Sequence, residues 1–447
     1  MWALVIFALI ALQILLALIS PVGLVYLSLA IGAIPIGFGE DGPITGALGR
    51  MDLPAFRLLG LWLAAAVVLL LHSGRLPRYL GTFKFHLLFL VFCLAAVAWA
   101  PSIDYAMRMF AKLSSPLLFL LLIMTAVSSR AQLRVMERLI VLSGLGVAAV
   151  AVAMLAAGVN ASQVGLTLPG LGPALFSALM VVVAVTALAG ARYGHRLRNS
   201  LIAAVSAAAV LAAFTRITIA GLFVGCSVVL FVGFRGVLRL LLPILGLVGL
   251  PALFLFNETF KKRMFYGDNK VTPDAVLSDP SILLEHLHTS GRSNAWGTVL
   301  GKFFFPNPTF GSGLGATQNY YYSQSSGIGV IHSEYVRLLS EVGVVGISLF
   351  ALAALAYLWR LLRIYRRSRE ADTARYALAA LGTLVAYLIF IATDNGFDYV
   401  TGFGIYVFGL IGMAEKAREL EMAPARAAVR ARAPTSAPAP AVAGQSA

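Results

Sequence analysis

Apolar runs of about twenty residues recur along almost the whole chain, and only one connection between them is long and polar. The runs fall at 2–19, 22–38, 55–72, 86–103, 108–127, 138–158, 173–191, 199–214, 217–234, 237–256, 333–358, 376–393 and 399–414. A run of this length crosses about 30 Å of hydrocarbon as a helix. Lipid leaves no other partner for the backbone N–H and C=O groups, so the spans must be helical. The pattern predicts an all-α fold, a polytopic transmembrane helical bundle of twelve or thirteen helices. Residues 257–332 form the single large excursion and end in GVIHSEYVRLLSEVGVVG. The chain divides into N-terminal transmembrane helices (1–256), this loop (257–332), C-terminal transmembrane helices (333–414) and a tail (415–447) expected to be disordered. The end of the tail, after Glu421, is Ala/Pro-rich without a packable apolar face, and disorder is expected there. The first run lacks a basic lead and passes straight into a second apolar run, which predicts a retained helix rather than a cleaved signal.

A net charge of +15 invites a nucleic-acid reading, but its placement excludes one. Alternate connections are basic: Arg75, Arg78 and Lys84; Arg130, Arg134 and Arg138; Arg192, Arg196 and Arg198; Arg235 and Arg239; and Arg360 to Arg375. Such loops stay in the cytoplasm, which puts the tail inside and residues 257–332 outside. Thirteen helices place Met1 outside and twelve place it inside. Cys93 and Cys226, the two cysteines, both lie in apolar runs, so a disulfide framework and a thiolate metal site are excluded. No Asp-x-Asp or His-Glu-x-x-His occurs, and His286 and His288 lack a third ligand. Neither a metal nor a cofactor is expected.

Polar groups collect on the outer side. Beside the large loop stand Asp41 and Asp52, then Asp104, Arg108 and Lys112, then Asn160 and Gln163, then Arg216, and finally Asp394-Asn395-Gly396-Phe397-Asp398. Transporters more often place ionisable groups near the midplane on interrupted helices. The distribution predicts a cavity open to the outer interface.

Arg216 sits between two apolar runs, where an arginine costs several kcal/mol unless it reaches an anion or a cavity; a snorkelling helix-end arginine is the alternative. In SGRSNAWGTVLGKFF, Trp296, Val299, Leu300 and Phe303 form a stripe that predicts an amphipathic helix over 292–303 lying on the membrane surface. Arg292 falls in its first turn. Free N–H groups and a guanidinium there suit phosphate oxygens, although a solvent-facing arginine fits the same pattern. Trp296 and Tyr320, Tyr321 and Tyr322 are the aromatic candidates for sugar contact, and three adjacent tyrosines cannot all face one way. The glycines of PNPTFGSGLGATQ predict loop and not a nucleotide fingerprint, since no strand precedes them. His332 opens the helix that re-enters the membrane. It is either a helix cap or the best general base on that side. Glu334, Arg337 and Glu341 are spaced to pair along one helix face, which predicts a structural ladder that lets the helix enter lipid with its charges matched.

These segments carry a family resemblance. HSEYVRLLSEVGVVG looks like the "H-N-x-Y/F-L-x-x-L-x-E-x-G-x-x-G" pattern of the O-antigen ligase and O-antigen polymerase superfamily of bacterial inner-membrane glycosyltransferases. SGRSNAW, FGSGLGATQ and FTRITIAGL resemble its other segments, with Thr215 and Ser333 standing where serine and asparagine are common. The resemblance implies a GT-C-like bundle in the inner membrane with its active site facing the periplasm. It implies a metal-independent, inverting transfer from an undecaprenyl-diphosphate-linked oligosaccharide to a glycan or lipid A–core acceptor, among other polysaccharide-assembly proteins. Arg216 and Arg292 would hold the diphosphate, and His332 would take or position the proton of the attacking hydroxyl. Polymerisation of O-antigen or exopolysaccharide is slightly preferred over ligation, because the tyrosine loop could hold a second glycan. Transport of a lipid-linked oligosaccharide by a flippase is the reading from another class.

Overall fold

The computed structural model describes residues 2–34, 53–158, 166–168, 171–237, 239–240, 244, 271–279, 281–282, 292–323 and 331–432. Every regular element among them is a helix. The first group comprises α1 (Trp2–Ile19), α2 (Pro21–Gly32), α3 (Leu53–Leu71), α4 (Leu76–Thr82) and α5 (Lys84–Ala95). Next come α6 (Ile103–Ala126), α7 (Arg130–Ala156), α8 (Pro173–Tyr193), α9 (Arg196–Ala212) and α10 (Arg216–Gly233). Three short helices follow, α11 (Pro273–Ser278), α12 (Arg292–Val299) and α13 (Ala316–Ser323). Long helices α14 (Glu334–Arg367), α15 (Ala371–Phe390) and α16 (Ile405–Arg432) end the described chain. Six of these (α6, α7, α8, α10, α14 and α15) are long and apolar enough to cross a membrane, and the bent α3–α4 pair could make a seventh. Of the other predicted runs, 2–19 forms α1 and most of 399–414 opens α16, while others form helices of 12 to 17 residues, as in α2, α5 and α9, or fall outside the described residues, as most of 237–256 does. Asp41, Asp52, Asn160, Gln163, His286 and His288 also lie outside them.

Local sequence sets the helix starts. Ser129 and Gln132 form a reciprocal capping box on α7, and the Ser333 hydroxyl accepts the Val336 N–H at 3.3 Å to start α14. Prolines occupy the first turns of α2 and α8, where their missing N–H costs nothing. Helices α6, α8, α15 and α16 pack at the centre around Phe176, Phe390, Phe403 and Tyr406, all buried. Helix α10 lies antiparallel to α15 with almost no side chain between them. A Cβ on Gly225 would come within 2.9 Å of the Gly382 carbonyl oxygen, and one on Gly221 within 3.3 Å of that of Ala386. Close approach through small residues is a common route to helix association in lipid.

Helix α14 is broken at Gly343, whose φ of 64° and ψ of −168° are open to glycine. The loop before α13 fits into the break. Val344 donates to the Pro308 carbonyl at 2.8 Å, and Gly313 donates to that of Glu341 at 3.0 Å. A Cβ on Gly343 would lie 2.4 Å from the Thr309 carbonyl oxygen. Gly313 and Gly315 meet the backbones of Trp99–Ala100 and Tyr105–Ala106 in the same way. The glycines of FGSGLGATQ therefore serve backbone-on-backbone packing.

Three expectations change. The stripe on α12 does not lie on lipid as a whole. Val299 is fully buried with Tyr321 and Ile331, flanked by Trp296 and Phe303, and the helix continues into a π-helical turn at Leu300–Phe304. The tail is ordered well past residue 414. Lys416 donates to the Met124 carbonyl at 3.0 Å, Glu419 meets the Tyr79 hydroxyl at 3.2 Å, and Glu421 accepts from Arg369 N–H at 2.7 Å, so α16 is held by its neighbours. The acid–base ladder is divided. Glu334 pairs with Arg337 at 3.1 Å, whereas Glu341 turns to the start of α13 and accepts N–H bonds from Gly315 and Thr317 at 2.9 and 3.3 Å. These groups are buried in protein, so they do not escort a helix through lipid.

Candidate active site

The connection between α15 and α16, residues 391–404, organises one end of the bundle. Its neighbours at that end are the starts of α6, α10, α12 and α14. Ile391 accepts the Glu334 N–H at 2.9 Å, and the Phe397 N–H donates to Glu334 Oε1 at 2.8 Å. Asp398 accepts from Lys112 at 2.6 Å and from Arg337 at 3.2 Å. Burial alone would raise the Asp398 carboxyl, but the Lys112 and Arg337 charges hold it well below the usual carboxylate range. Arg337, 3% exposed, is thus shared between Asp398 and Glu334, itself 0% exposed. The buried Glu334, the half-buried Asp398 and two cations fix the connection against α6 and α14.

Three consecutive residues of this connection receive two of the candidate side chains. Arg292 Nη1 donates to the Thr393 carbonyl at 2.7 Å. His332 donates its backbone N–H to Asn395 Oδ1 at 3.0 Å, while Asn395 Nδ2 lies 3.2 Å from His332 Nδ1. Asp394 Oδ1 stands 3.7 Å from the same ring nitrogen and accepts the Asn395 N–H at 2.8 Å. Asp394 and Asn395 are buried, whereas the His332 side chain remains 36% exposed. Among the described residues no carboxylate lies within 4.0 Å of Arg292, so its remaining guanidinium N–H groups have no acid to satisfy them here.

His332 is not the first residue of the helix. Ser333 is the cap, and His332 precedes it with φ of 52°, a left-handed conformation costly for a residue with a side chain. That backbone directs the imidazole toward Asp394–Asn395 instead of along α14. Arg216 opens α10 and is half-buried. The α10–α15 register, with Gly225 opposite Gly382 and Gly221 opposite Ala386, carries the first turn of α10 to the level of Ile391. Arg216 therefore begins beside the connection that holds Arg292 and His332.

The aromatic candidates divide differently. The Trp296 indole N–H donates to the Ile331 carbonyl at 2.8 Å, one residue before His332. Tyr321 is buried at 8% exposure. The Tyr320 ring packs edge-on against Phe303 and lies 3.9 Å from Lys302 Nζ. Trp296, Tyr320 and Tyr321 thus anchor α12 and α13 to the residues leading into His332. The side chain of Tyr322 lies outside the described set.

A comparison with protein families bears on the same residues. Residues 201–351 match the O-antigen ligase family. The matched segment, about a third of the chain, contains Arg216, Arg292 and His332 and ends inside α14, and it supports the resemblance to the O-antigen ligase and polymerase superfamily. The O-antigen ligase family implies a glycosyltransferase-like enzyme acting on a lipid-linked glycan donor and an acceptor, within a multi-pass membrane protein. No curated protein matches the chain. Asp394, Asn395 and Asp398 lie beyond the segment matched by the O-antigen ligase family. Of these, Asn395 is the residue that sequence reasoning undervalued. Its one signal was a polar run, Asp-Asn-Gly-Phe-Asp, between two apolar spans.

Proposed function

We propose that this protein transfers a glycan from undecaprenyl diphosphate to a sugar hydroxyl at the periplasmic face of the inner membrane, without a metal. The acceptor oxygen attacks the anomeric carbon, the glycosidic bond forms, and the bond to the diphosphate oxygen breaks with its electron pair. Arg292 and Arg216 would meet the diphosphate oxygens. Guanidinium forks match such oxygens in geometry and offset the charge that grows on them. His332 would present its exposed imidazole edge to the reacting oxygens. The observation that carries this reading is the meeting of Arg292 and His332 on Thr393–Asn395, at the bundle end where α10 and Arg216 begin.

The burial of Tyr321 and the packing of Tyr320 reduce the open aromatic surface that favoured polymerisation. Polymerase and ligase thus differ in what the acceptor site admits. Glycan analysis of a deletion strain separates them. Single repeat units with no polymer mark a polymerase of O-antigen or exopolysaccharide. Polymer left on its carrier lipid marks a ligase to lipid A–core or another acceptor. Donor trapped on the cytoplasmic side marks a flippase and overturns the transfer reading.

A further inference from the structure

We infer that Asn395 fixes His332 as the tautomer protonated on Nε2, so that its free edge donates a hydrogen bond to the substrate instead of acting as a general base. The inference rests on the transfer reading and assigns the histidine's part in it. It starts from the Asn395 amide. Its Oδ1 accepts the His332 backbone N–H at 3.0 Å, and only a carbonyl oxygen can do that. The amide nitrogen, a pure donor, must then face the ring, and it lies 3.2 Å from Nδ1. A neutral imidazole has one donor and one acceptor nitrogen, so an accepting Nδ1 leaves the proton on Nε2.

The competing arrangement would put the proton on Nδ1 and point it at Asp394. That carboxylate is 3.7 Å away, outside hydrogen-bond range, and its Oδ1 already accepts the Asn395 N–H at 2.8 Å. A proton on Nδ1 would also face the Asn395 NH2 group, donor against donor. Rotating the amide relieves that clash only by turning its NH2 toward the His332 N–H. The other charged groups nearby are committed elsewhere. Glu334 holds Arg337 and the Phe397 N–H, and Arg292 holds the Thr393 carbonyl. Among the described residues no polar atom bonds Nε2, which leaves it for the substrate.

The proton count closes without a basic histidine. As the anomeric bond to the diphosphate breaks, the departing oxygen takes the electron pair, and the diphosphate takes the proton of the attacking hydroxyl. His332 donates its Nε2–H to a substrate oxygen and ends the turnover as neutral as it began. Asn395 is a positioning residue in this scheme.

Three variants in a glycan-transfer assay, with nitrogen NMR on histidine-labelled protein, test the assignment. A glutamine amide can donate but cannot take a proton. His332→Gln should therefore run about tenfold above His332→Ala, the worth of roughly one hydrogen bond. Asn395→Asp keeps the acceptor for the His332 N–H but invites a proton onto Nδ1. It should lower activity toward the alanine level and exchange the protonated ring nitrogen in the NMR spectrum, assigned by difference against His332→Gln. The wild-type rate should show no acid limb that His332→Ala removes, because both neutral and protonated rings donate from Nε2. Glutamine as poor as alanine, an acid limb lost in His332→Ala, and an active Asn395→Asp would together establish a base and overturn the inference while leaving the transfer reading intact. Wild-type rates in all three variants would remove His332 from the site. If the wild type transfers nothing, the transfer reading fails, and a spectrum with Nδ1 protonated would overturn the tautomer independently.

Discussion

The two ends of the bundle both gather charge, and they handle it differently. At the end distal to the site, arginines meet carboxylates, and most of these arginines keep a third or more of the side chain exposed. Arg130 pairs with Glu370, Arg134 with Asp372 at 3.4 Å, Arg375 with Glu137 at 2.8 Å, and Arg360 with Glu415 at 2.8 Å. Arg134 and Asp372 are 49% and 31% exposed, and water screens such pairs. At the site end the Arg337–Glu334 pair is buried and the half-buried Asp398 joins it, while Arg292 binds a carbonyl and His332 an amide. Paired charges make a scaffold at the site end, and the side chains with chemistry left over stand on it. Arginine content alone does not separate the two ends; the partners do.

The largest expected effect is on the scaffold. Removing Arg337 strands the buried Glu334 carboxylate and takes one of two cations from the half-buried Asp398, so Arg337→Ala should cost about 3–5 kcal/mol and sharply lower the yield of folded protein in detergent. Arg134→Ala, at the other end, should cost within about 0–1 kcal/mol. Equal thermal shifts for the two variants would erase the distinction between the ends.

The chemistry should separate from stability at the same end. His332→Ala removes an exposed ring that packs little, so thermal unfolding should be nearly unchanged while glycan transfer falls about a hundredfold, the usual cost of losing one preorganised hydrogen-bond donor. A variant that transfers normally would move the chemistry to another group. Arg292→Lys preserves charge but not the fork. It should lose most of the activity through weaker donor binding, seen as a raised KM for the lipid-linked donor. Retention of the wild-type KM would reduce Arg292 to a tether for Thr393.

Acid should act late on the scaffold. With its folded-state pKa depressed, Asp398 contributes stability fully above its unfolded value of about 3.9, and that contribution is lost only as pH falls toward the lower folded value. Unfolding curves should show no loss from this group between about pH 7 and pH 5, and the wild type should outlast Asp398→Asn throughout that window. A variant matching the wild type there would show that Asp398 adds nothing. The smallest effect concerns orientation alone: a reporter fused after Asp279 should be active outside the cytoplasm. Cytoplasmic activity would end the periplasmic assignment.

Much of this plan was legible along the chain. The apolar runs predicted α6, α7, α8, α10, α14 and α15, and SGRSNAW placed Arg292 at a helix start. The misplaced parts depend on partners distant in sequence. Trp296 and Val299 read as a lipid-facing stripe because a buried stripe and a membrane-facing stripe have the same period; only Ile331 and Tyr321 distinguish them. His332 read as a helix start because Ser333 caps through its own side chain, and the left-handed turn before a cap leaves no mark on a histidine. The role of Asn395 was hidden because its partner is 63 residues away.

The central claim is that this site makes a bond. Purified protein in lipid vesicles, given an undecaprenyl-diphosphate-linked oligosaccharide and a glycan acceptor in the presence of a chelator, tests it directly. The account predicts a lengthened or transferred glycan together with released undecaprenyl diphosphate, both abolished or nearly so in Arg292→Lys and His332→Ala. Movement of intact donor across the bilayer with no new glycosidic bond would contradict it.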